Sequence, residues 1–254
     1  MPRVTSNGIC ELCGKSYRKS GMTRHLQSCL AKTAPHGEPR RRHGNSIHLL
    51  VEDDYRPEYW MHLAVPSRCT LEELDLYLRK TWLECCLHLS SFSIGRDNYF
   101  CPEYFLSMYG EEDEGGNDPL AGLAQIIGLL REDMELEMTV PLGQVVHTGS
   151  RFRHEYDFGT TTELTLRVLG EPDGGDDEIR LLARNDAPAF DCHRCGAPAA
   201  WVSPGADDWI AMTAGLCDAC APTSEYRLPI VNSPRSGVCG YDGTPVWIVV
   251  DNQE

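Results

Sequence analysis

A chain of 254 residues with 41% hydrophobic side chains can bury a core, which excludes wholesale disorder. No run approaches the roughly 18 consecutive apolar residues of a membrane span, so no membrane contact is expected. The net charge of −15 hides an uneven spread. Residues 1–47 hold nine Lys/Arg and two acids, giving +7, while the remainder holds 14 bases and 36 acids, giving −22. A basic head that can approach phosphate thus precedes an acidic body that phosphate would repel.

Residues 1–32 read as a small Cys/His module. No apolar stretch stands ahead of Cys10, and the expectation is a cytoplasmic protein with reduced thiols, where clustered cysteines usually mean metal. Residues 33–46 have linker composition, with the basic run Arg40-Arg41-Arg42. From residue 47 the pattern becomes globular. Ile47–Val51 and Tyr59–Val65 read as strands. Thr70-Leu71-Glu72-Glu73 has the spacing of a capping box, and Leu71, Leu74, Leu78 and Trp82 follow on one helical face. His88–Ile94 alternates as a strand. An acidic loop at 111–116 precedes a helix begun by Asn117-Asp118-Pro119 and carried by Leu120 to Leu130. Phe152–Phe158 and Leu164–Val168 alternate as further strands. Asp173-Gly174-Gly175 is a turn before Ile179–Leu182. Strands with helices between them predict an α+β fold over residues 47–187, with the cysteine-rich residues 188–254 appended.

The cysteine spacing carries the most chemical information. Cys10 and Cys13, then His25 and Cys29, give C-x2-C-x11-H-x3-C. Zinc takes four N/S donors in a tetrahedron; a two-cysteine knuckle and two ligands one helical turn apart supply them. The pattern resembles a classical ββα zinc finger in its C2HC variant, with Tyr17, Met22 and Leu26 as its apolar residues. Cys192, Cys195, Cys217 and Cys220 form two C-x2-C knuckles, the pattern of a four-cysteine zinc ribbon. Two structural Zn²⁺ per chain are therefore expected. They leave about −1 at the finger and −2 at the ribbon, counting thiolates against the ion. The acidity of the body then points to solubility or to a basic protein partner. Cys69, Cys85, Cys86, Cys101 and Cys239 read most simply as small buried hydrophobes, except that adjacent Cys85 and Cys86 cannot both face the core of a regular strand and Cys239, between Gly237 and Gly240, has room to be exposed.

With Trp60, Leu71-Glu72-Glu73-Leu74, His88-Leu89-Ser90-Ser91-Phe92 and Tyr156-Asp157-Phe158-Gly159, residues 47–182 resemble the plasmid pRiA4b ORF-three-like family. Its members are often labelled insertion-element passenger TnpR-like proteins. The ribbon and Asn232–Tyr241 look like those of members carrying an appended ribbon. The resemblance implies a compact α+β domain and no established activity. Many members continue past the Tyr-Asp-Phe-Gly motif with acids and a Trp, whereas this chain reads Thr160-Thr161-Thr162-Glu163.

The leading functional expectation is a zinc-stapled, non-enzymatic protein of a mobile-element-associated family. It would contact DNA or RNA through residues 1–46, using Lys15, Arg18, Lys19, Arg24, Arg40, Arg41 and Arg42. Two readings stand beside it. One is a zinc-stabilised protein-interaction module without nucleic-acid contact. The other is a hydrolase or nuclease using His88, His154, Glu155 and Asp157 as acid/base groups. Alternation along the strand sets His154 and Tyr156 on one face and Glu155 and Asp157 on the other, so these neighbours do not form one site, and no catalytic residue is assigned.

Overall fold

A computed structural model describes residues 6–33, 45–100, 136–172, 177–202, 215–221 and 227–244. They fall into two compact units, one drawn from residues 1–76 and 89–186, the other from 77–88 and 187–254. The architecture is mixed α+β, with a large, mostly antiparallel sheet and few helices. Among the described residues, no helix is long and apolar enough to cross a membrane.

The first unit begins with a hairpin, β1 (Asn7–Cys10) and β2 (Ser16–Arg18), followed by helix α1 (Lys19–Thr33). Then come β3 (Ser46–Asp53), β4 (Trp60–Pro66), α2 (Leu71–Leu78, its last two residues counted in the second unit), β5 (Ser90–Ile94) and β6 (Asp97–Phe100). The unit continues with β7 (Leu136–Glu137), α3 (Leu142–Val145), β8 (Arg151–Tyr156), β9 (Thr162–Gly170) and β10 (Arg180–Asn185). The described strands order as β2-β1-β10-β4-β3-β9-β8-β5-β6-β7, antiparallel except for β6 with β7. Every residue of β4 is buried, as expected of a near-continuous apolar strand in the middle of a sheet. β8 alternates instead, with Phe152, His154 and Tyr156 buried and Arg151 and Arg153 exposed.

The hairpin and α1 are built into this sheet. β1 pairs with β10, setting Gly8 opposite Asn185 and Cys10 opposite Ala183. Met22 and Leu26 of α1, both fully buried, cluster with Leu50, Trp60, Ala64 and Leu182. Gly8 allows the close approach: a Cβ there would collide with the Arg184 carbonyl oxygen and lie 2.6 Å from the Trp60 ring. Trp60 is further tied by its indole N–H, which donates to Ser6 Oγ at 2.6 Å.

The capping box forms at Thr70. The Glu73 N–H donates to Thr70 Oγ1 at 3.1 Å, and the Thr70 N–H donates to Glu73 Oε2 at 2.8 Å. The helical face expected through Trp82 continues past Leu78 as one π-helical turn, Arg79–Leu83, closed by the Glu84 N–H on the Arg79 carbonyl at 2.9 Å. The strand expected from His88 starts two residues later, at Ser90, and Leu87, just before His88, takes a left-handed backbone (φ 62°). The acidic loop and helix expected at 111–130 and the turn at 173–175 lie outside the described residues.

The second unit contains a three-stranded sheet, β12-β11-β13, made of β11 (Trp201–Val202), β12 (Gly215–Leu216) and β13 (Leu228–Pro229). Its small core gathers Cys192, Leu216, Cys217 and Ala221.

One buried feature of the first unit gives a pH prediction. His48 Nε2 lies 3.0 Å from His62 Nδ1, and both rings are buried. Burial is the main cause holding His48 down at about 4 and His62 at about 3, against an ordinary 6.5. The unfolded chain therefore takes up protons below about pH 6.5 while the folded chain does not. The contribution of neutral rings is complete above that pH and is lost as pH falls towards 4, by up to about 1.4 kcal/mol per pH unit per ring. Urea unfolding should show wild type losing about 3 kcal/mol more than His48→Leu/His62→Leu between pH 6.5 and 5. Equal losses would contradict the buried, neutral pair.

Candidate metal centres

Three groups of Cys and His side chains converge, each with its ligand atoms all within 4.8 Å of one another. Each group could hold a metal ion.

The first comprises Cys10, Cys13, His25 and Cys29. Cys10 ends β1, and the chain then turns tightly, with the Gly14 N–H donating to the Cys10 carbonyl at 2.7 Å and Gly14 left-handed at φ 70°. That turn returns Cys13 towards α1, where His25 and Cys29 stand one helical turn apart. Cys13 Sγ lies 3.3 Å from His25 Nε2. Tyr17 stacks on the His25 ring with centroids 4.0 Å apart, fixing its orientation. Cys10 and Cys29 are buried, His25 is half-buried and Cys13 is exposed. The backbone N–H of Lys15 lowers the Cys13 thiol, whereas burial raises Cys29 to about 11 and lowers His25. A cation that draws the proton from Cys29 removes that burial penalty.

The second comprises Cys192, Cys195, Cys217 and Cys220. Two matching turns present them: the Gly196 N–H donates to the Cys192 carbonyl at 2.8 Å, and the Ala221 N–H to the Cys217 carbonyl at 2.8 Å. Cys195 and Cys217 Sγ are 3.5 Å apart. The backbone N–H of Cys217 pulls Cys192 down to about 6, while the neighbouring Cys195 thiol pushes Cys220 up to about 12. Beside the site, Trp201 donates its indole N–H to Asp218 at 2.7 Å and carries the Arg227 guanidinium 4.1 Å above its ring. Trp201 is half-buried.

The third, Cys85, Cys86, His88 and Cys239, is absent from the sequence-based expectation and corrects it. Cys86 and Cys239 are exposed and Cys85 is half-buried, so these are not small core hydrophobes. The tetrad joins segments too far apart in sequence for a spacing rule to connect. The only local signal is the compact Cys-Cys-x-His run beside a lone cysteine flanked by glycines. Of the remaining cysteines, Cys69 is buried as expected, and Cys101 lies outside the described residues. Among the described residues no cysteine forms a disulfide.

The basic residues of the head separate into groups. Lys15, Arg18 and Arg24 are exposed. Lys19 has partners within the protein: its ammonium pairs with Glu52 at 2.8 Å and donates to the Pro57 carbonyl at 2.6 Å. Arg40, Arg41 and Arg42 lie outside the described residues. Lys19 also lines a polar hollow of about 220 Å³ with Glu52, Asp54 and Arg167. There Glu52 pairs with both Lys19 and Arg167, so opposite charges meet within the protein.

Of the proposed acid/base groups, His154, Asp157 and His88 each meet other partners. His154 is fully buried, with Nε2 2.6 Å from Asp75 Oδ1 and its ring 4.7 Å from that of Phe92. Asp157 has a left-handed backbone (φ 64°), and its carboxylate accepts from the Gly159 and Thr160 N–H groups and from the Thr160 hydroxyl. Asp157 thus closes a turn. His88 belongs to the third cysteine cluster. The Asp75 partner of His154 has no sequence signature, since 79 residues separate them.

The fold and site define an α+β chain with a broad antiparallel sheet and three thiol-rich groups able to hold metal. No family model matches the chain, and neither does any curated protein. Among solved structures it is similar to a protein of unknown function from Methanosarcina mazei Go1, at 14% sequence identity and a TM-score of 0.40, covering 61% of this chain and 76% of that one.

Proposed function

We propose that the protein is a zinc-stapled, non-enzymatic member of the pRiA4b ORF-three-like family that binds nucleic acid through its basic head. In this reading Cys10, Cys13, His25 and Cys29 form a C2HC zinc finger, and Cys192, Cys195, Cys217 and Cys220 form a zinc ribbon. Each would hold a structural Zn²⁺ with no open coordination position. The observation that carries this reading is the gathering of each tetrad within 4.8 Å. Donor chemistry agrees, because thiolate and imidazole sets select zinc over hard cations.

Support for nucleic acid comes from the exposed Lys15, Arg18 and Arg24 on and beside the finger, together with the linker arginines 40–42. One finger spans only about 3 bp, so it would touch chiefly phosphate, with specificity from a partner or a second copy. The acidic remainder would meet a basic protein. The test uses the full chain, because β1 is a strand of the sheet and deleting the head would expose β10. Replacing Arg18, Arg24, Arg40, Arg41 and Arg42 by Gln should flatten the log–log salt dependence of DNA or RNA binding by up to about 0.9 for each phosphate no longer neutralised. An unchanged slope would reject the head as the binding surface.

A second reading, in which the finger only stabilises the sheet, is favoured by the complete burial of Met22 and Leu26 against Trp60 and Leu182. It requires that the same five substitutions leave binding untouched.

A further inference from the structure

We propose that Cys85, Cys86, His88 and Cys239 form a third zinc site. It is a solvent-facing clasp between two distant segments, and its ion is the first of three to leave. The proposal stands on its own geometry and does not depend on nucleic-acid binding.

The distances come first. Cys86 Sγ lies 3.7 Å from Cys85 Sγ, 3.5 Å from Cys239 Sγ and 3.0 Å from His88 Nε2, and His88 Nε2 lies 3.2 Å from Cys239 Sγ. With Zn–S near 2.3 Å and Zn–N near 2.0–2.1 Å, a tetrahedron places its ligand atoms roughly 3.5–3.8 Å apart. The four donors already stand close to that separation. A disulfide would need its sulfurs at about 2.05 Å.

The backbone is bent to achieve this. Adjacent cysteines of a regular strand point to opposite faces. Here Leu87, between Cys86 and His88, is left-handed at φ 62°, and Cys239 is left-handed at φ 48°. They are two of the three non-glycine residues with positive φ among the described residues. Such strain persists where the surrounding structure over-determines it, and it concentrates at functional sites.

That support is present. The Glu84 carboxylate accepts the Leu87 N–H and pairs with Arg79 at 2.9 Å. Ser233 donates to the Trp82 carbonyl at 2.6 Å and accepts the Arg235 N–H at 2.9 Å. Arg235, fully buried, brings Nη2 to 3.5 Å from Cys85 Sγ. Three thiolates around Zn²⁺ leave one negative charge, and the Arg235 guanidinium offsets it. On binding, the three thiols release their protons to solvent while a neutral imidazole nitrogen supplies the fourth bond.

Exposure distinguishes this site from the others. The finger and ribbon tetrads each contain two buried ligands, while this tetrad contains none. A chelator therefore reaches this ion first. Cys86 and Cys239 are 153 residues apart, so the clasp closes a long loop and its loss should release the turn at 233–241.

The test is zinc release from the full chain to a chromogenic chelator, with total zinc measured on the same sample. Three zinc per chain are expected, one leaving in a fast phase. Cys239→Ser should hold two and lose the fast phase, the two retained ions reporting that it folds. Should that variant not fold, His88→Cys keeps four donors; it should hold three ions, and its cobalt-loaded form should gain thiolate charge-transfer absorption. Equal zinc in wild type and Cys239→Ser, no fast phase in wild type, or a Cys86–Cys239 disulfide in the untreated chain would each overturn the site. Failure of the finger or ribbon is separable, because Cys10→Ser or Cys192→Ser would then leave the zinc count unchanged.

Discussion

Replacing Cys10 by Ser should remove one zinc and melt the hairpin and α1, with the loss reaching into β10. Apparent zinc binding to small finger modules is worth about 10–16 kcal/mol near neutral pH, and losing one of four ligands forfeits much of it. Helix α1 has 15 residues and would be marginal alone in water. Without the ion, Met22 and Leu26 leave their places against Trp60 and Leu182. The Gly8–Asn185 and Cys10–Ala183 pairings lose their partner strand. Hydrogen exchange should therefore quicken by at least about a hundredfold at the β1 and β10 amides, equivalent to about 2.7 kcal/mol of local opening. β8 and β9, five and four places along the sheet from β1, should keep their protection. Unchanged exchange at β1 would mean that metal does not hold the hairpin.

Glu84→Ala carries the other large effect. The Arg79 and Glu84 side chains are only 2% and 3% exposed, and they meet at 2.9 Å. Removing one member of such a pair takes a charged partner from the other in a desolvated place, typically at about 3–5 kcal/mol. The same carboxylate accepts the Leu87 N–H, so its loss also frees the strained turn between Cys86 and His88. Urea unfolding of the variant should show that destabilisation. Glu84→Gln, which keeps an acceptor for Leu87 and drops the charge, should fall between the two. A change below about 1 kcal/mol in Glu84→Ala would show that the pair is solvated in solution.

Legibility followed the range of the interactions. The knuckles at Cys10/Cys13 and Cys192/Cys195 are local, with turn geometry enforcing their spacing, so they could be read directly. The Thr70–Glu73 box and the alternation of β8 were equally local. Pairing β1 with β10 was not legible, because Gly8 and Asn185 stand at opposite ends of the first unit's sequence. Nothing in the charge pattern marked Lys19 as the partner of Glu52, since exposed lysines of the head look alike in sequence. The buried Asp75–His154 pair was invisible for the same reason as the β1–β10 pairing, its members standing far apart along the chain. The Cys85/Cys86/His88/Cys239 group was missed because its spacing fits no single knuckle. It depends on two left-handed residues, Leu87 and Cys239, of types that do not advertise such a backbone.

X-ray absorption at the zinc edge of the purified full-length chain tests the central claim most directly. The expected first shell is dominated by sulfur at about 2.3 Å, with a minor nitrogen contribution near 2.0–2.1 Å from histidine. A shell made mainly of oxygen or nitrogen, or no bound zinc at all, would contradict the assignment of these cysteine groups as metal centres.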